Sequence, residues 1–515
     1  TCLFMIRLYY YYNPISRKQV LLPPGPTPWP MVGCIPQMLM NKPVFRWIHL
    51  FMEDKGIDIA CFRFGKVHVF PVTCPTIALQ FLKKQDAAFA SRPLTMATDI
   101  LSDGYKTTSL SPYGDTWKKM RRLLTSEILS PARLRSLQHK RDEEADNLLK
   151  YLYCQSKNDG VVDMRVACRS YTGNIARRMM FNKRYFGLER DDGGPTFREQ
   201  EYVDAVFVAL KHMYAFCISD YLPSLVGLDL DGHEKIVKDA YMTILKYHEP
   251  IIDERIEKWR KETSNDSIME VQDWLDVLVS LKSSDGSPLL SRAQIIAQAT
   301  EIAITIIDNP SNAAEWAIAE IMNKPHIMSR ALEEIDTVVG KDRLVQEHDL
   351  HNLKYIRACA RESLRLHPVT AFNVPHVSMC DTVVAGYHIP KGSHVLLSRM
   401  GLGRNPRVWD NPLQYKPERH LPDDYDTLKN NCGNISLGET DLRFISFSAG
   451  RRSCAGMELG TTATVMLLAR VLQGFSCKPS PNVSKISLEE CEDELSLRHP
   501  LLASIEPRLP LHLYQ

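Results

Sequence analysis

The residues with the clearest chemical potential lie in the segment 447–456, which reads FSAGRRSCAG. Cys454 in this segment directly precedes a helical hydrophobic pattern over residues 457–472. A thiolate at a helix N-terminus is stabilised by the macrodipole and by unpaired N–H groups. Gly450 and Gly456 allow the backbone to turn tightly and to approach a flat ligand closely. The spacing therefore indicates a loop that presents one thiolate to a metal centre.

Two further residues of this loop suit a flat ligand that carries negative charge. Phe447 offers an apolar shield, and Arg452 can pair with a carboxylate on the ligand. A thiolate ligand to haem iron favours cleavage of the O–O bond of dioxygen. The alternative is that Cys454 is a buried structural cysteine, as we expect for most of the other cysteines. The ten-residue pattern favours haem-thiolate ligation.

A group of charged residues is expected to fix this loop. Glu362 and Arg365 stand one turn apart in a helix predicted over residues 353–366, so their side chains share a face. Arg419, in the sequence PERH, lies shortly before the cysteine loop. An ExxR pair alone is common in helical proteins. In this context we predict that the three side chains form one hydrogen-bonded network.

A second pair of candidate ligand-binding residues lies near the N-terminal end of another predicted helix. Trp117 and Arg121 are four residues apart, so the indole and the guanidinium share a face, and both donate hydrogen bonds suited to a carboxylate. The alternative is a partly exposed basic helix, which fits Lys118, Lys119 and Arg122. These three could also present positive charge to an acidic electron-transfer partner.

The long helix predicted over residues 291–323 contains Asp308, Asn309 and Pro310. A proline inside a helix removes one backbone hydrogen bond and costs about 3 kcal/mol. One interpretation is a local break beside an acid and an amide, which could hold a water and pass protons. The other is that Asn309 caps, and Pro310 begins, a separate helix. The local residues alone favour the second interpretation.

Composition limits the function classes. The chain has 515 residues, of which 44% are hydrophobic and 24% charged, as in an ordinary globular protein. A net charge of +2 gives no indication of a nucleic-acid partner. The thirteen cysteines are scattered without a CxxC pair, which argues against a zinc site and against a disulfide framework. We therefore expect a reducing compartment.

Hydrophobic periodicity predicts a mainly α-helical chain with small β-sheets, folded as a single large domain. Helices are predicted over residues 114–128, 131–152, 202–218, 233–261, 273–281, 291–323, 325–339 and 353–366. Strand-forming residues predict a hairpin over residues 60–71 and a second β element over residues 387–398, turning at residues 390–392. Polar segments predict loops at residues 189–195, 283–288 and 423–441.

The N-terminal segment differs in character from the rest. Residues 1–22 are apolar and aromatic at first and then basic, and the apolar part is shorter than the ~20 residues that a membrane span needs. Residues 23–30 read PPGPTPWP, which predicts a stiff hinge. We expect the remnant of a membrane anchor, a hinge, and a catalytic domain over residues 31–515. The alternative is the disordered tail of a soluble enzyme.

Taken together, FSAGRRSCAG, ExxR, PERH and the Trp117/Arg121 pair resemble the cytochrome P-450 family of haem-thiolate monooxygenases, over almost the whole chain. The resemblance implies the cytochrome P-450 fold, one mostly helical domain with small sheets. It implies haem b as cofactor, with Cys454 as its axial ligand. It also implies propionate partners at Trp117, Arg121 and Arg452. His376 falls where the family often has a propionate-binding arginine or histidine.

The long helix departs from the usual family pattern. Most members carry an acid–threonine pair there, and the threonine helps to deliver protons during oxygen activation. In this chain Asp308 keeps the acid, but Asn309 replaces the threonine and Pro310 follows. A missing threonine also marks haem-thiolate isomerases and dehydratases, which use no dioxygen. However, DNPSN followed by Glu315-Trp316, together with NVPH, SRP and KPERHL, resembles the plant amino-acid N-monooxygenases that form aldoximes. This favours catalytic roles for Asp308, Asn309 and Pro310.

The closer resemblance implies a specific reaction. An L-amino acid is hydroxylated twice on nitrogen, and dehydration and decarboxylation then give an aldoxime for specialised or defence metabolism, such as cyanogenic glucoside or glucosinolate pathways. Dioxygen and NADPH-derived electrons are consumed, the latter delivered by a separate NADPH–cytochrome P-450 reductase. The expected location is the endoplasmic reticulum membrane, with the catalytic domain facing the cytosol. The expected substrate pocket is lined by Ile304, Thr305, Phe372, Asn373 and Val374.

Three other functions remain open at this point. A carbon-hydroxylating monooxygenase would share the fold and the electron supply but would release no carbon dioxide. A dioxygen-independent isomerase or dehydratase would turn over without a reductase. A non-catalytic haem-binding protein would leave no iron position open to carbon monoxide. The sequence identifies neither the amino acid nor the residue that binds its carboxylate.

Overall fold

The computed structural model describes residues 21–158, 160–184, 190, 194–263, 270–422, 435–481 and 483–515. Residues 1–20 of the predicted anchor, and parts of the loops predicted at residues 189–195 and 423–441, lie outside these ranges. Within the described ranges, no helix combines the length and apolar character needed to cross a bilayer.

The described chain is dominated by α-helices, as the periodicity predicted. In chain order they are α1 (Ile35–Met40), α2 (Val44–Lys55), α3 (Pro75–Leu79), α4 (Met96–Leu101), α5 (Asp115–Leu123), α6 (Pro131–Ser136), α7 (Gln138–Asn158), α8 (Met164–Phe181), α9 (Phe197–His212), α10 (Ile218–Tyr221), α11 (His233–Thr263), α12 (Trp274–Ser280), α13 (Arg292–Met322), α14 (Pro325–Val338), α15 (Lys354–Leu366), α16 (Arg399–Gly403) and α17 (Met457–Gly474). Single π-helical turns extend α3 over Gln80–Lys84 and α5 over Leu124–Ile128.

Two of the predicted helices were wrong in their limits. The segment 131–152 forms two helices, α6 and α7, because Leu137 leaves the helical conformation between them. The helix predicted over residues 202–218 begins earlier and ends at His212. Its start is set by a capping box, in which Thr196 and Glu199 each accept a hydrogen bond from the other's backbone N–H.

The strands form three small sheets. They are β1 (Phe62–Phe64), β2 (Val67–Val72), β3 (Val161–Asp163), β4 (His376–Val377), β5 (Thr382–Val384), β6 (Tyr387–Ile389), β7 (His394–Leu397), β8 (Phe475–Pro479) and β9 (Leu502–Pro507). The sheet orders are β1-β2-β7-β4, β3-β9-β8 and β5-β6. The predicted hairpin over residues 60–71 is confirmed as the antiparallel pair β1–β2.

The second predicted β element is wrong in its pairing. The strands β6 and β7 both form, but they do not pair with each other. Strand β6 pairs with β5, whereas β7 runs parallel to β2 and antiparallel to β4. The turn before β7 therefore carries the chain from one sheet into another. Parallel pairing with β2 joins segments more than 300 residues apart, so the local pattern contained no signal for it. The sheet β3-β9-β8 adds a C-terminal β part that was not predicted.

Helix α13 runs through the centre of the core, where it packs against α8, α15 and α17. It starts with a capping box between Ser291 and Gln294. It then continues through Pro310 without a break. The interpretation that Asn309 caps a new helix at Pro310 is therefore wrong.

Tertiary contacts explain how the helix tolerates this proline. The Thr172 hydroxyl of α8 donates to the carbonyl of Ile307 at 2.9 Å, and the Ser311 hydroxyl donates to the same carbonyl at 2.8 Å. Pro310 itself is buried among the packed helices. Pro310 removes the hydrogen bond to the carbonyl of Ile306, one residue earlier, so these contacts hold the adjacent turn while packing carries the helix through the proline.

Candidate active site

The cysteine loop enters the site through a short 3₁₀ turn, Gly450–Arg452, and leaves it at the N-terminus of α17. The Cys454 N–H donates to the carbonyl of Phe447 at 2.8 Å, which closes the loop on itself. Asp86 accepts hydrogen bonds from the backbone and the side chain of Arg451, which joins the loop to the segment after α3. Contacts within the protein alone therefore hold both ends of the loop.

Glycine is required at one position of this region and allows a close contact at a second. Gly450 has φ +72°, and a Cβ there would lie 2.3 Å from the carbonyl oxygen of Leu82. Gly460, one turn into α17, lets the helix approach the ring of Phe447, because a Cβ there would lie 3.2 Å from that ring. Phe447 consequently packs against the main core beside the cysteine, as its predicted shielding role requires.

The Cys454 thiol lies in a recess. It keeps accessible surface, yet surrounding protein atoms bury it enough to raise its pKa. Three groups act in the opposite direction: a hydrogen bond from the Gly456 N–H and the positive charges of Arg121 and Arg399. These groups all favour the thiolate, which is the form that binds a metal.

The predicted charged network is present as hydrogen bonds and is buried. Arg365 donates to both carboxylate oxygens of Glu362 at 2.8 Å, and both side chains are 0% exposed. Arg419 donates to Glu362 at 2.9 Å. His420, quoted in the sequence but not assigned to the network, supplies a further hydrogen bond at 2.7 Å. Burial raises the pKa of Glu362, but the hydrogen bonds from Arg365 and His420 outweigh it and lower that pKa to about 2.

Arg365 extends this network into the chain that leads to the cysteine loop. Its guanidinium donates to the carbonyls of Gly403, Pro412 and Gln414. The backbone N–H of Lys416 in turn donates to Glu362 at 2.9 Å. The carboxylate on α15 therefore fixes the path of residues 403–420, which no regular sheet or long helix holds.

A cluster of positive groups surrounds the predicted propionate partners. The guanidinium of Arg452 lies 4.3 Å from the ring centroid of Trp117. Burial, followed by the charges of neighbours that include Arg92 and Arg121, lowers the pKa of Arg452 to about 9. Burial and the charges of Arg92 and Arg452 also hold the pKa of His376 well below its usual range. The three arginines therefore repel one another inside the protein, and His376 among them is held in its neutral form.

This cluster fits the two carboxylates of haem b. The Nδ1–H of His376 donates to the carbonyl of Phe89 at 2.8 Å, while its buried Nε2 has no hydrogen-bond partner among the described residues. Arg452 uses two of its nitrogens on the carbonyls of Ala90 and Ser111, at 2.6 and 2.9 Å, which fixes the direction of the guanidinium. Anions placed here would offset the repulsion and would favour a protonated His376, which can donate from Nε2.

The central part of α13 supplies the acid and the amide at the site. Asp308 is buried, and its Oδ1 accepts a hydrogen bond from the Asn312 amide at 2.7 Å. Burial raises the pKa of Asp308 to about 6, against the effect of the Asn312 hydrogen bond. Asn309 and Thr305 lie one turn apart on an accessible face of the same helix. The helix therefore offers an exchangeable proton beside two accessible polar side chains.

The five predicted pocket residues do not share one environment. Ile304 is 1% exposed and belongs to a core cluster with α9 and α11, so the structure assigns it to packing rather than to a pocket wall. Asn373 is also buried, and its amide donates to the Ser448 hydroxyl at 2.9 Å, which makes it a support of the cysteine loop. Phe372 stacks on His49 with ring centroids 5.0 Å apart. Thr305, Phe372 and Val374 keep accessible surface.

Sequence reasoning missed two arginines. Arg92 donates to the carbonyls of Val374 and Pro375 at 2.9 and 2.8 Å, so it joins the propionate cluster to the segment after α15. Its only signal was the SRP motif. Arg399 influences the charge state of both Cys454 and Asp308, and no motif drew attention to it.

The comparisons with known proteins agree with this geometry. A family model described as Cytochrome P450 matches residues 23–506. The chain belongs to the cytochrome P450 family. Members hold haem b through a cysteine thiolate and use dioxygen with electrons from NADPH through a reductase, so the predicted family, fold class and cofactors are confirmed.

Individual relatives narrow the family assignment. The chain is 52% identical to a phenylalanine N-monooxygenase of Prunus mume, over 99% of this chain and 96% of the relative. It is 53% identical to a tyrosine N-monooxygenase of Sorghum bicolor, over 96% of this chain and 87% of the relative. It is also 53% identical to valine N-monooxygenase 1 of Manihot esculenta, over 98% of this chain and 90% of the relative. Similarity to these cytochromes P450 therefore extends along nearly the whole chain.

The buried network generates a stability prediction. In Glu362→Gln, Arg365, Arg419 and His420 lose their carboxylate partner, so we expect a loss of about 3–5 kcal/mol in the free energy of unfolding and poor retention of haem. Denaturant unfolding and the haem-to-protein absorbance ratio measure the two effects. The control is Asp54→Asn, which removes an exposed ion pair with Lys55 and should change stability by at most about 0.5 kcal/mol. Equal effects of the two substitutions would contradict this role for Glu362.

The raised pKa of Asp308 generates a pH prediction. An acid whose pKa is raised by folding, here from 3.8 to about 6, costs stability progressively as pH rises from the lower value, and the cost is complete above the higher one. Asp308→Asn should therefore stabilise the protein at pH 8, by up to about 3 kcal/mol, with the gain vanishing toward pH 4. Thermal midpoints across this range measure the trend.

The matched control for Asp308→Asn is Asp253→Asn. Hydrogen bonds from Arg292 lower the pKa of this half-exposed carboxyl, so its replacement should cost stability at neutral pH and less in acid. A gain for Asp308→Asn that is the same at pH 5 and pH 8 would show that the carboxyl is not destabilised by burial.

Proposed function

We propose that this chain is an amino-acid N-monooxygenase that converts an L-amino acid to its aldoxime. The observation that carries the proposal is its identity of 52–53%, along nearly the whole chain, with phenylalanine, tyrosine and valine N-monooxygenases. The continuous helix that carries Asp308, Asn309 and Pro310 supports it. An L-amino acid is hydroxylated twice on nitrogen, and dehydration and decarboxylation then give the aldoxime and carbon dioxide.

The chemistry is divided between the cofactor and the chain. Haem b held by Cys454, when bound, supplies the oxidation of the substrate nitrogen with dioxygen and NADPH-derived electrons. Burial raises the pKa of both Cys454 and Asp308, and the same desolvation would favour the uncharged form of a substrate amine beside them. An amine must be uncharged to react through its nitrogen lone pair. The protein therefore contributes desolvation and position.

Asp308 is the residue that we assign to proton supply. A carboxyl with a pKa of about 6 is present in both protonation states near neutral pH, so its Oδ atoms can release and regain a proton during turnover. The hydrogen bond from Asn312 fixes the orientation of the carboxyl. Asn309, on the accessible face one residue further, holds the position that a threonine occupies in most members. Its amide can both donate and accept, and we assign it to positioning the substrate amine or a water beside Asp308.

Partners and location belong to the same proposal. Lys118 and Arg122 are exposed on α5, the helix that also carries Trp117 and Arg121, so a NADPH–cytochrome P-450 reductase with an acidic surface could dock there and deliver electrons over a short path. We further propose attachment to the endoplasmic reticulum membrane through the N-terminal segment, with the catalytic domain in the cytosol. The basic residues and the proline-rich hinge in the sequence support this arrangement.

The proposal is tested by supplying each of the twenty amino acids to the purified enzyme with reductase and NADPH. We expect an aldoxime and carbon dioxide from at least one L-amino acid. Cys454→Ala should abolish both the product and the carbon monoxide band of thiolate-bound haem, because it removes the axial ligand. The control is Cys380→Ala, at an exposed cysteine, which should change neither. A hydroxylated product without carbon dioxide, or turnover without reductase, would contradict N-oxidation.

Asn309 gives a second prediction for the same reaction. Asn309→Thr restores the usual side chain but changes the donor and acceptor set beside Asp308. We expect less aldoxime per NADPH consumed and more hydrogen peroxide, by roughly two- to tenfold, because a misplaced proton donor costs of the order of 1 kcal/mol. Parallel assays of NADPH, peroxide and oxime measure the coupling. The control is Asn41→Thr, on the surface. Unchanged coupling would show that Asn309 has no special part in the reaction.

A further inference from the structure

Arg399 is a half-buried arginine to which the proposed reaction assigns no role. It is the first residue of α16, directly after strand β7 and the capping residue Ser398. Its backbone N–H donates to the carbonyl of Ala371 at 2.9 Å, and Ser398 pairs with Phe372 as an isolated β-bridge. The side chain of Arg399 therefore starts beside the segment 371–374, which contributes accessible residues to the site.

The guanidinium of Arg399 lies among the groups of the active site. Burial lowers its pKa to about 10, and the two charges that act against this are those of Cys454 and Asp308. Cys454 belongs to the loop before α17 and Asp308 to the middle of α13, and the charge of Arg399 in turn lowers the pKa of both groups. Arg399 is therefore close enough to both elements to interact with their charges.

This cation has no partner of its own in the described part of the chain. Its Nε is buried without a hydrogen bond, and no described carboxylate forms an ion pair with it. Some arginines of the core are matched by a carboxylate, as Arg365 is by Glu362 and Arg141 by Glu347. Because the Nε of Arg399 is removed from water without a replacement partner, we expect an anion to meet this guanidinium during function.

The haem propionates already have a separate set of partners. Arg92, Arg121, Arg452 and His376 influence one another's charge states, whereas none of the four acts on Arg399. Asp308 is held by Asn312 and does not form an ion pair with Arg399. The remaining anion that must enter this space is the carboxylate of the amino-acid substrate.

We propose that Arg399 binds the α-carboxylate of the amino-acid substrate and thereby directs the amine toward the haem. The inference rests on the proposed function and names the receptor that the sequence left unassigned. A guanidinium offers a planar pair of N–H donors that matches a carboxylate. Since every L-amino acid carries the same carboxylate beside its amine, one arginine orients the nitrogen whatever the side chain. An aldoxime has no carboxylate, so the same contact also favours release of the product.

Equilibrium binding to the haem-loaded protein tests this assignment. The ligands are the L-amino acid that yields an oxime, its methyl ester and the product aldoxime; for a phenylalanine-oxidising enzyme they are L-phenylalanine, L-phenylalanine methyl ester and phenylacetaldoxime. Affinities come from ligand-induced changes in the haem absorption spectrum. The wild-type protein should bind the amino acid about 10–100-fold more tightly than the ester, as one charge-assisted contact provides.

The variants are Arg399→Gln and Arg399→Lys, with Arg407→Gln as the control. Arg407 follows in the same segment, is 63% exposed and pairs with Asp58, so its replacement should change no affinity. Arg399→Gln should lower affinity for the amino acid about 10–100-fold and leave the ester within about threefold. Arg399→Lys should restore part of the loss. In turnover, KM should rise much more than kcat falls.

Three results would overturn the assignment. One is a wild-type protein that binds acid and ester equally while producing the oxime. Another is an Arg399→Gln variant that still binds the amino acid more tightly than its methyl ester, by the same factor as the wild-type protein. The third is loss of the thiolate-haem carbon monoxide band in both Arg399 variants, which would make Arg399 a partner of the cofactor. Failure of the wild-type protein to form an oxime from any amino acid would instead reject the proposed function, so the two failures are distinguishable.

Discussion

One buried carboxylate organises the segment that leads toward the cysteine loop of this cytochrome P450. Glu362 accepts hydrogen bonds from two arginines, a histidine and a backbone N–H. A buried charge of this kind is tolerated only when its partners satisfy it fully. Residues 404–416 contain neither helix nor strand, so the network takes the place of regular secondary structure along this part of the chain.

Positive charge is distributed around the site in two separate places. The cluster of Arg92, Arg121, Arg452 and His376 lies together, and its members lower one another's tendency to be charged. Arg399 lies apart from it and responds to Cys454 and Asp308 instead. Glu301 and Asp308 act on these groups from a distance, but no carboxylate in the described part of the chain forms an ion pair with any of them. The positive charge in both places therefore favours the binding of anions. The haem propionates and the substrate carboxylate are anions of this kind. Binding of the cofactor would reduce the repulsion among the arginines of the first group, and binding of the substrate would offset the desolvation of Arg399.

The central helix α13 shows how packing overrides local preference. Asn309 and Pro310 form a good helix start by local rules, yet the helix continues through them for its full length. Thr172 from a neighbouring helix and Ser311 from the next turn donate to the carbonyl of Ile307. The unusual residue pair is thereby fixed at the middle of the site, close to Asp308. The rule that Asn-Pro marks a helix start therefore fails at this position, where we expect function to select the residues.

Much of the architecture and of the cofactor site was accessible from the sequence because it is encoded locally. The 3.6-residue period gave the long helices, and Gly450 and Cys454 indicated the haem loop. Spacing within a helix indicated that Glu362 and Arg365 share a face. Relations between distant segments were not accessible. The parallel pairing of β7 with β2, the burial of Ile304, the use of Asn373 to support the cysteine loop and the entry of Arg399 into the site all depend on which segments meet.

The sequence by itself determined the helical class, the axial thiolate and the family resemblance, because each rests on residue types at short, fixed spacing. Only the tertiary structure decided which polar side chains are buried together. Burial and neighbouring charges raise the pKa of Asp308, keep Glu362 ionised, and leave Arg399 without an ion pair among the residues that the structure describes. These properties depend on distances between segments that lie tens to hundreds of residues apart, and local spacing carries no information about such distances.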